Sequence, residues 1–182
     1  GDGIGDVHGA GVEVGGKAAR RLGEALGDLA ALGRDGVGHR AAGVLQVPLA
    51  VFVWDDGYGI SVPKKYQTTK ASISDALKGF QKNEGTNGLD IYKLKGWDYA
   101  GMCEILEPAI QKIRNTHTPA IFHVEEITQP QGHSTSGSHE RYKTTERLEW
   151  EKEWDGLRKM REWILANALA ETEELNNMEE NA

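Results

Sequence analysis

The sequence predicts an α/β fold, a mostly parallel sheet with flanking helices, followed by a C-terminal helical tail. Three observations lead there. Residues 49–54 (LAVFVW) and 120–124 (AIFHV) are apolar runs without the period-2 alternation of a half-exposed strand, so both read as buried strands. Residues 99–115 carry a helical apolar stripe between two strand patterns, the strand–helix–strand order of a parallel sheet. From Glu146 onward, Glu, Lys and Arg surround a second helical stripe. The chain thus divides into an atypical glycine-rich part, 1–43, an α/β core, 44–142, and a helical extension, 143–182.

Composition narrows the function classes. A length of 182 residues suits one domain with a tail, and a first residue of Gly1 rather than Met suggests a piece of something longer. A formal charge of −7, with no basic block beyond short pairs such as Lys64-Lys65, argues against a general phosphate-backbone binder. The single cysteine, Cys103, excludes an internal disulfide and a multi-cysteine metal cluster; its helical context predicts buried filler. No run approaches the ~18 apolar residues of a membrane span, so neither membrane nor nucleic acid is an expected partner and the cytoplasm is the default location.

Taken in order, the chain opens on glycine, thirteen times between Gly1 and Gly43, too often for a well-packed element. A helix over 17–32 is still readable from Leu22, Leu26, Leu29 and Leu32, weakened by Gly23 and Gly27 and stopped by Gly33. The glycine clusters at 1–5 and 9–11 read as turns, since no P-loop lysine, preceding strand or full dinucleotide fingerprint accompanies them, and His8 and His39 lack paired ligands. A short helix ends near Gln46. Pro48 then leads into the strand 49–54, with burial expected to be deepest over 50–53.

Pro63 closes the turn that follows, 64–70 is a polar loop, and 72–81 forms a short helix presenting Ile73, Leu77 and Phe80. After a turn at 83–88, residues 89–94 form the second strand. Asp98 caps the helix over 99–115, which sends Met102, Ile105, Leu106, Ala109, Ile110 and Ile113 toward a core, with Pro108 a place to bend. Pro119 starts the strand 120–124, which runs into Glu125 and Glu126. Residues 128–142 have no periodicity and form a surface or ligand-gating loop containing His133 beside Ser134, Thr135 and Ser136. In the tail, Leu148, Trp154, Leu157, Met160, Ile164 and Leu165 form the stripe. Trp150 and Trp163 are expected to pack on the domain or a partner subunit, and a last helix over 171–178 folds back on Leu169, Leu175 and Met178.

The stretch with most chemistry is VPLAVFVWDDGYGISVP, 47–63. Asp55, Asp56 and Gly57 stand at the C-terminal mouth of a buried strand, where open α/β sheets bind ligands, and adjacent carboxylates suit a divalent metal. The alternative is that both aspartates cap a turn in water.

Together with the loop QGHSTSGSHERY (131–142) and the helix near Glu146, this stretch resembles the diphosphate-binding domain of thiamine-diphosphate-dependent 2-oxo acid dehydrogenase E1 components, of the transketolase-like superfamily. The resemblance runs from His39 to the C-terminus and is nearest to the bacterial pyruvate or branched-chain type. It implies a thiamine-diphosphate-binding fold in which Asp55-Asp56-Gly57-Tyr58 takes the place of the family's Asn-Asn-Gly-Tyr. Asp56 then matches the side-chain magnesium ligand and Tyr58 the backbone-carbonyl ligand. Asp2 of Gly1-Asp2-Gly3 is the candidate first ligand, with Asp28 its alternative. Gly57, Tyr58, Ile60 and His133 would contact the cofactor, His133 would act in catalysis, and Ser134 would be a regulatory phosphorylation site. Trp54 stands where some members have a phosphate-contacting arginine, and Gln129 stands near an expected arginine.

The implied chemistry is decarboxylation of a 2-oxo acid with thiamine diphosphate and magnesium, then acyl transfer to a lipoyl domain of E2. The implied partner is a pyrimidine-binding domain or a β-type E1 subunit, in a dimer or heterotetramer. Two rival readings are a non-catalytic α/β assembly module and a nucleotide-binding oxidoreductase domain.

Overall fold

The computed structural model describes residues 12–13, 37–131 and 138–181, with backbone only at 12–13 and 37–40. The predicted helix over 17–32, together with Asp2, His8, Asp28, His133 and Ser134, lies outside these residues. The elements are β1 (Val12–Glu13), α1 (Val37–Leu45), β2 (Ala50–Trp54), β3 (Tyr58–Gly59), β4 (Val62–Pro63), α2 (Ile73–Leu77), β5 (Asp90–Lys95), α3 (Tyr99–Thr116), β6 (Ala120–Glu125), α4 (Thr145–Glu153), α5 (Gly156–Ala166) and α6 (Thr172–Glu180).

Four strands make one sheet in the order β1-β2-β6-β5. β6 pairs in parallel with β2 on one side and β5 on the other, the crossover from β5 running through α3 as a βαβ unit requires. β1 adds a two-residue antiparallel edge beside β2, a strand that the glycine-rich sequence had not suggested. The sheet is therefore mixed but mostly parallel, with β2 internal.

Each face has its own core. On one, Ala42 of α1 packs with Leu49, Val51, Val53, Leu89 and Ile121, and the partly buried Ile73, Leu77 and Phe80 close over them. Those three share a face as expected, although α2 ends at Leu77 and Lys78–Phe80 continues as a 3-10 turn. On the other face, Ala109 and Ile113 of α3 cover Leu94, Ala120, Phe122 and Val124. Register places Phe52, Phe122 and Tyr92 side by side, and their rings stack at 4.8 and 5.1 Å between centroids.

Local signals account for the joints. Gly88 holds φ +143 where an added Cβ would lie 2.8 Å from Lys82 Cα, so the turn into β5 admits little else. Asp98 accepts from the Gly101 N–H as the cap of α3, which continues through Pro108 and stops at His117 in the left-handed region.

Several expectations are corrected. β2 is not evenly buried: Val51 and Val53, in the cluster with Ala42 and Leu89, are buried, Ala50 and Phe52, which pack against the other cluster, only partly, and Trp54 is 44% exposed. Cys103 and Ile105 of α3 are exposed rather than in the core. At 100° per residue both fall roughly 75–85° from the centre of the stripe formed by Met102, Leu106, Ala109, Ile110 and Ile113. The tail stripe breaks at Asp155, whose carboxylate accepts from Leu157 and Arg158 N–H and starts a new helix, leaving Leu157 84% exposed. Of the three anchors of the last helix, Leu175 is buried while Leu169 and Met178 are exposed. Among the described residues no helix is long and apolar enough to cross a membrane.

Candidate functional site

The three parallel strands finish level. Asp55 N–H donates to Val124 O at 2.8 Å and Gly96 N–H to Glu125 O at 2.8 Å, carrying the ladder one step past β2 and β5. The residues that follow therefore emerge along one edge. Asp55, Asp56, Glu125, Glu126 and Trp97 line a cleft of about 570 Å³, to which Arg147, Trp150 and Trp154 of the tail add.

Asp55 is the most heavily tied group there. Its Oδ1 accepts from Gly57 N–H at 2.8 Å, and its Oδ2 accepts from Lys64 Nζ at 2.8 Å and lies 2.9 Å from His123 Nε2. Burial pushes its carboxyl up, but the hydrogen bonds from His123, Lys64 and Gly57, with the Lys64 charge beside it, hold it well below the usual carboxylate range. Asp55 thus shapes the turn, which Gly57 completes at φ +84.

Asp56 is placed differently. Its Oδ1 accepts from Tyr58 N–H at 2.9 Å and its backbone carbonyl accepts from Arg147 Nη2 at 3.0 Å, while Oδ2 takes no hydrogen bond among the described residues. The Tyr58 ring lies near the Lys143 and Arg147 cations, at 5.5 and 5.7 Å. Ile60 begins the hairpin turn between β3 and β4 with φ +62, costly for a β-branched residue, and is 61% exposed.

Three further side chains complete the arrangement. His123, 0% exposed, joins Asp55 to Ser74, whose Oγ is 2.7 Å from Nδ1. Lys64 bridges Asp55 at 2.8 Å and Glu125 at 3.7 Å. Arg147 ties the cleft to the tail through Glu151 at 2.7 Å and lies over the Trp150 ring at 4.7 Å.

The dehydrogenase E1 component family matches residues 36–182. The chain belongs to that family. The E1 assignment makes it a thiamine-diphosphate-dependent 2-oxo acid dehydrogenase-type domain. No curated protein matches the chain.

The donor chemistry of this E1 component can be set against the cofactor its family uses. Asp55, His123 and Glu125 offer ligand atoms within 4.8 Å of one another, close enough to hold a cation. The Lys64 ammonium already meets the two carboxylates of that group, so a metal there would have to displace it. Asp56 suits a hard cation better: it lines the cleft, one of its oxygens is spent on the turn and the other takes no hydrogen bond among the described residues. Lys64, Lys95 and Arg147 around the same cleft suit an anionic group such as a diphosphate. Any fit to a magnesium-bound diphosphate therefore rests on Asp56, since Asp55, Glu125 and Glu126 also line the cleft and Lys64, Lys95 and Arg147 are each already paired with a carboxylate.

Of the residues singled out in the sequence, Asp56, Gly57, Tyr58 and Ile60 come together on the turn and hairpin. His133, Ser134 and Asp2 lie outside the described residues, and Asp2 and Asp28 also precede the matched span. Trp54 stacks on Phe52 at 5.9 Å, and the Gln129 carbonyl lies 3.4 Å from Lys143 Nζ. Sequence reasoning missed His123, Ser74, Lys64 and Arg147. Only His123 carried a signal: an imidazole inside an apolar strand must find partners, and a strand-end carboxylate was available.

Proposed function

We propose that this chain supplies the diphosphate-binding part of an E1-type decarboxylase acting on pyruvate or a branched-chain 2-oxo acid. The observation that carries this is Asp56, a carboxylate whose Oδ2 takes no hydrogen bond among the described residues, set on a glycine turn at the mouth of parallel strands and lining a cleft that also holds Lys64, Lys95 and Arg147. In this reading Asp56 and the Tyr58 carbonyl hold magnesium, with Asp2 as the third protein ligand. Gly57 lets the backbone approach the diphosphate, and Ile60 and His133 line the pocket. Bound there, thiamine diphosphate would supply the nucleophilic carbon and the electron sink for loss of carbon dioxide.

The chain's own part is to fix the diphosphate, neutralise its charge through magnesium, and hold or move a proton at His133. A pyrimidine-binding domain or β-type subunit completes the site in a dimer or heterotetramer, and the acyl product passes to a lipoyl domain of E2. A phosphate on Ser134 would add about −1.5 to −2 charges and oppose binding of the diphosphate. A cytoplasmic setting is consistent with this chemistry.

Calorimetric titration of the full chain with thiamine diphosphate tests the reading. Weak binding is expected in magnesium and none in chelator, with no turnover of a 2-oxo acid by the chain alone. Asp56→Ala is expected to abolish binding. Unchanged affinity in that variant would remove the metal assignment, and absence of binding by the parent would favour an assembly module. That second reading has one observation of its own: Lys64, Lys95 and Arg147 are each already paired with a carboxylate.

A further inference from the structure

We infer that Ser74 and His123 are positioning residues that set the Asp55 carboxylate, and through it the turn presenting Asp56; the magnesium arm of this inference rests on the function proposed above. His123 sits in the middle of β6, in register with Val53 of β2 and Lys93 of β5, with its side chain wholly buried. A wholly buried imidazole must have both nitrogens partnered, and here both are: Nδ1 by Ser74 Oγ at 2.7 Å, Nε2 by Asp55 Oδ2 at 2.9 Å. An ionised carboxylate only accepts, so the proton between His123 and Asp55 belongs to Nε2. Ser74, itself 4% exposed in α2, engages Nδ1 and so holds the ring with Nε2–H toward the strand end.

The consequence for the turn is geometric. Three donors, from Gly57, Lys64 and His123, converge on one carboxylate, and each comes from a different segment. With Asp55 fixed, Gly57 N–H is fixed, and Asp56 between them is left with its carbonyl accepting from Arg147 and its Oδ1 from Tyr58 N–H. The arrangement also explains why an aspartate stands at position 55. An asparagine offers one oxygen and one NH2, and its amide would have to face Gly57 N–H or the His123 and Lys64 donors. Asp55, His123 and Lys64 form a matched set in which the aspartate charge is met inside the chain. Outer partners of this kind orient the group that holds a metal, and their loss typically weakens binding 10- to 100-fold.

The test uses the full chain with His123→Leu, His123→Gln and Ser74→Ala. Gln keeps an N–H donor near the position of Nε2, whereas Leu has none. Amide exchange at Gly57, read by NMR without cofactor, is expected to speed up about tenfold in His123→Leu and to return near the parental rate in His123→Gln. Nitrogen-15 spectra of the parent imidazole should place a proton on Nε2. In magnesium, the affinity for thiamine diphosphate is expected to fall about tenfold in His123→Leu, less in Ser74→Ala, and to recover in His123→Gln. An unprotonated Nε2, or parental Gly57 exchange and affinity in folded His123→Leu, would overturn the inference. If His123→Leu does not fold, Ser74→Ala decides: parental exchange at Gly57 in that variant overturns it equally. A parent that binds no thiamine diphosphate would defeat the proposed function alone, because the Gly57 and Nε2 readings judge the positioning without it.

Discussion

The sheet and the tail bury their apolar residues to opposite degrees. In β6, Phe122 and Val124 are 0% exposed between two layers of side chains, whereas in α5 and just after it Leu157 and Leu169 are 84% and 63% exposed. The two regions have different sources of order. The sheet is held by the packing of its two faces. The tail is tied at its joints by ion pairs beside a Trp97–Trp154 ring contact at 4.4 Å: Lys143 and Arg147 converge on Glu151, and Arg161 reaches from α5 to Glu179 of α6. A helical segment that leaves large apolar residues uncovered while its ion pairs are satisfied has a stable backbone path without a core of its own.

The largest effect should separate the two regions directly. Phe122→Ala removes the ring stacked between Phe52 and Tyr92 and is expected to cost about 3–5 kcal/mol in urea unfolding. Leu157→Ala, a comparable loss of apolar side chain in the tail, should change stability by less than about 0.5 kcal/mol. Similar costs for the two would mean that the tail has a core after all.

The next effect lies on the seam between the regions. Lys143 and Glu151 have side chains 1% and 4% exposed and pair at 2.8 Å. Glu151→Ala strands the buried ammonium and is expected to cost about 3 kcal/mol, whereas Lys143→Met with Glu151→Leu should recover most of that loss. A double variant no more stable than the single one would show that the charges, rather than the filled volume, hold the tail on.

Legibility in the sequence follows the same division. Apolar runs and a capped helix specify β2, β6 and α3 nearly to the residue, because packing on two faces leaves one solution and Asp98 marks its own cap. In the tail the helical period was readable, but the break at Asp155 was not, since an aspartate among Glu, Lys and Arg looks like another surface charge until its carboxylate is found on Leu157 and Arg158 N–H. The site divides likewise. The turn 55–58 announces itself through its composition. Lys64, His123 and Arg147 reach it from 9, 68 and 91 positions away, and Ser74 meets His123 across 49, by pairings that only the folded sheet brings about.

The smallest effect tests whether surface charge contributes to the sheet region as it does to the tail. Lys112 of α3 reaches Asp90 at the start of β5 at 2.6 Å, with side chains 50% and 17% exposed. The hydrogen bond to Asp90 raises the lysine above its ordinary value, against a smaller lowering by burial. A lysine raised on folding contributes stability that is fully present below its unfolded pKa, about 10.4, and that disappears as pH rises through the folded value. Lys112→Met should therefore cost about 0.5 kcal/mol at neutral pH, a deficit that stays flat to pH 9 and shrinks above about pH 10.4. Tyr92, whose hydroxyl is pushed up by burial and by the Asp90 charge and is drawn down by the Lys112 charge, would change with the variant, so Tyr92→Phe is the background for both proteins. Urea midpoints for both proteins from pH 6 to 11, at low and high salt, supply the test. A deficit that grows above pH 10, or one that 1 M salt leaves untouched, would place the role of Lys112 in the packing of its stem along α3 and not in its charge.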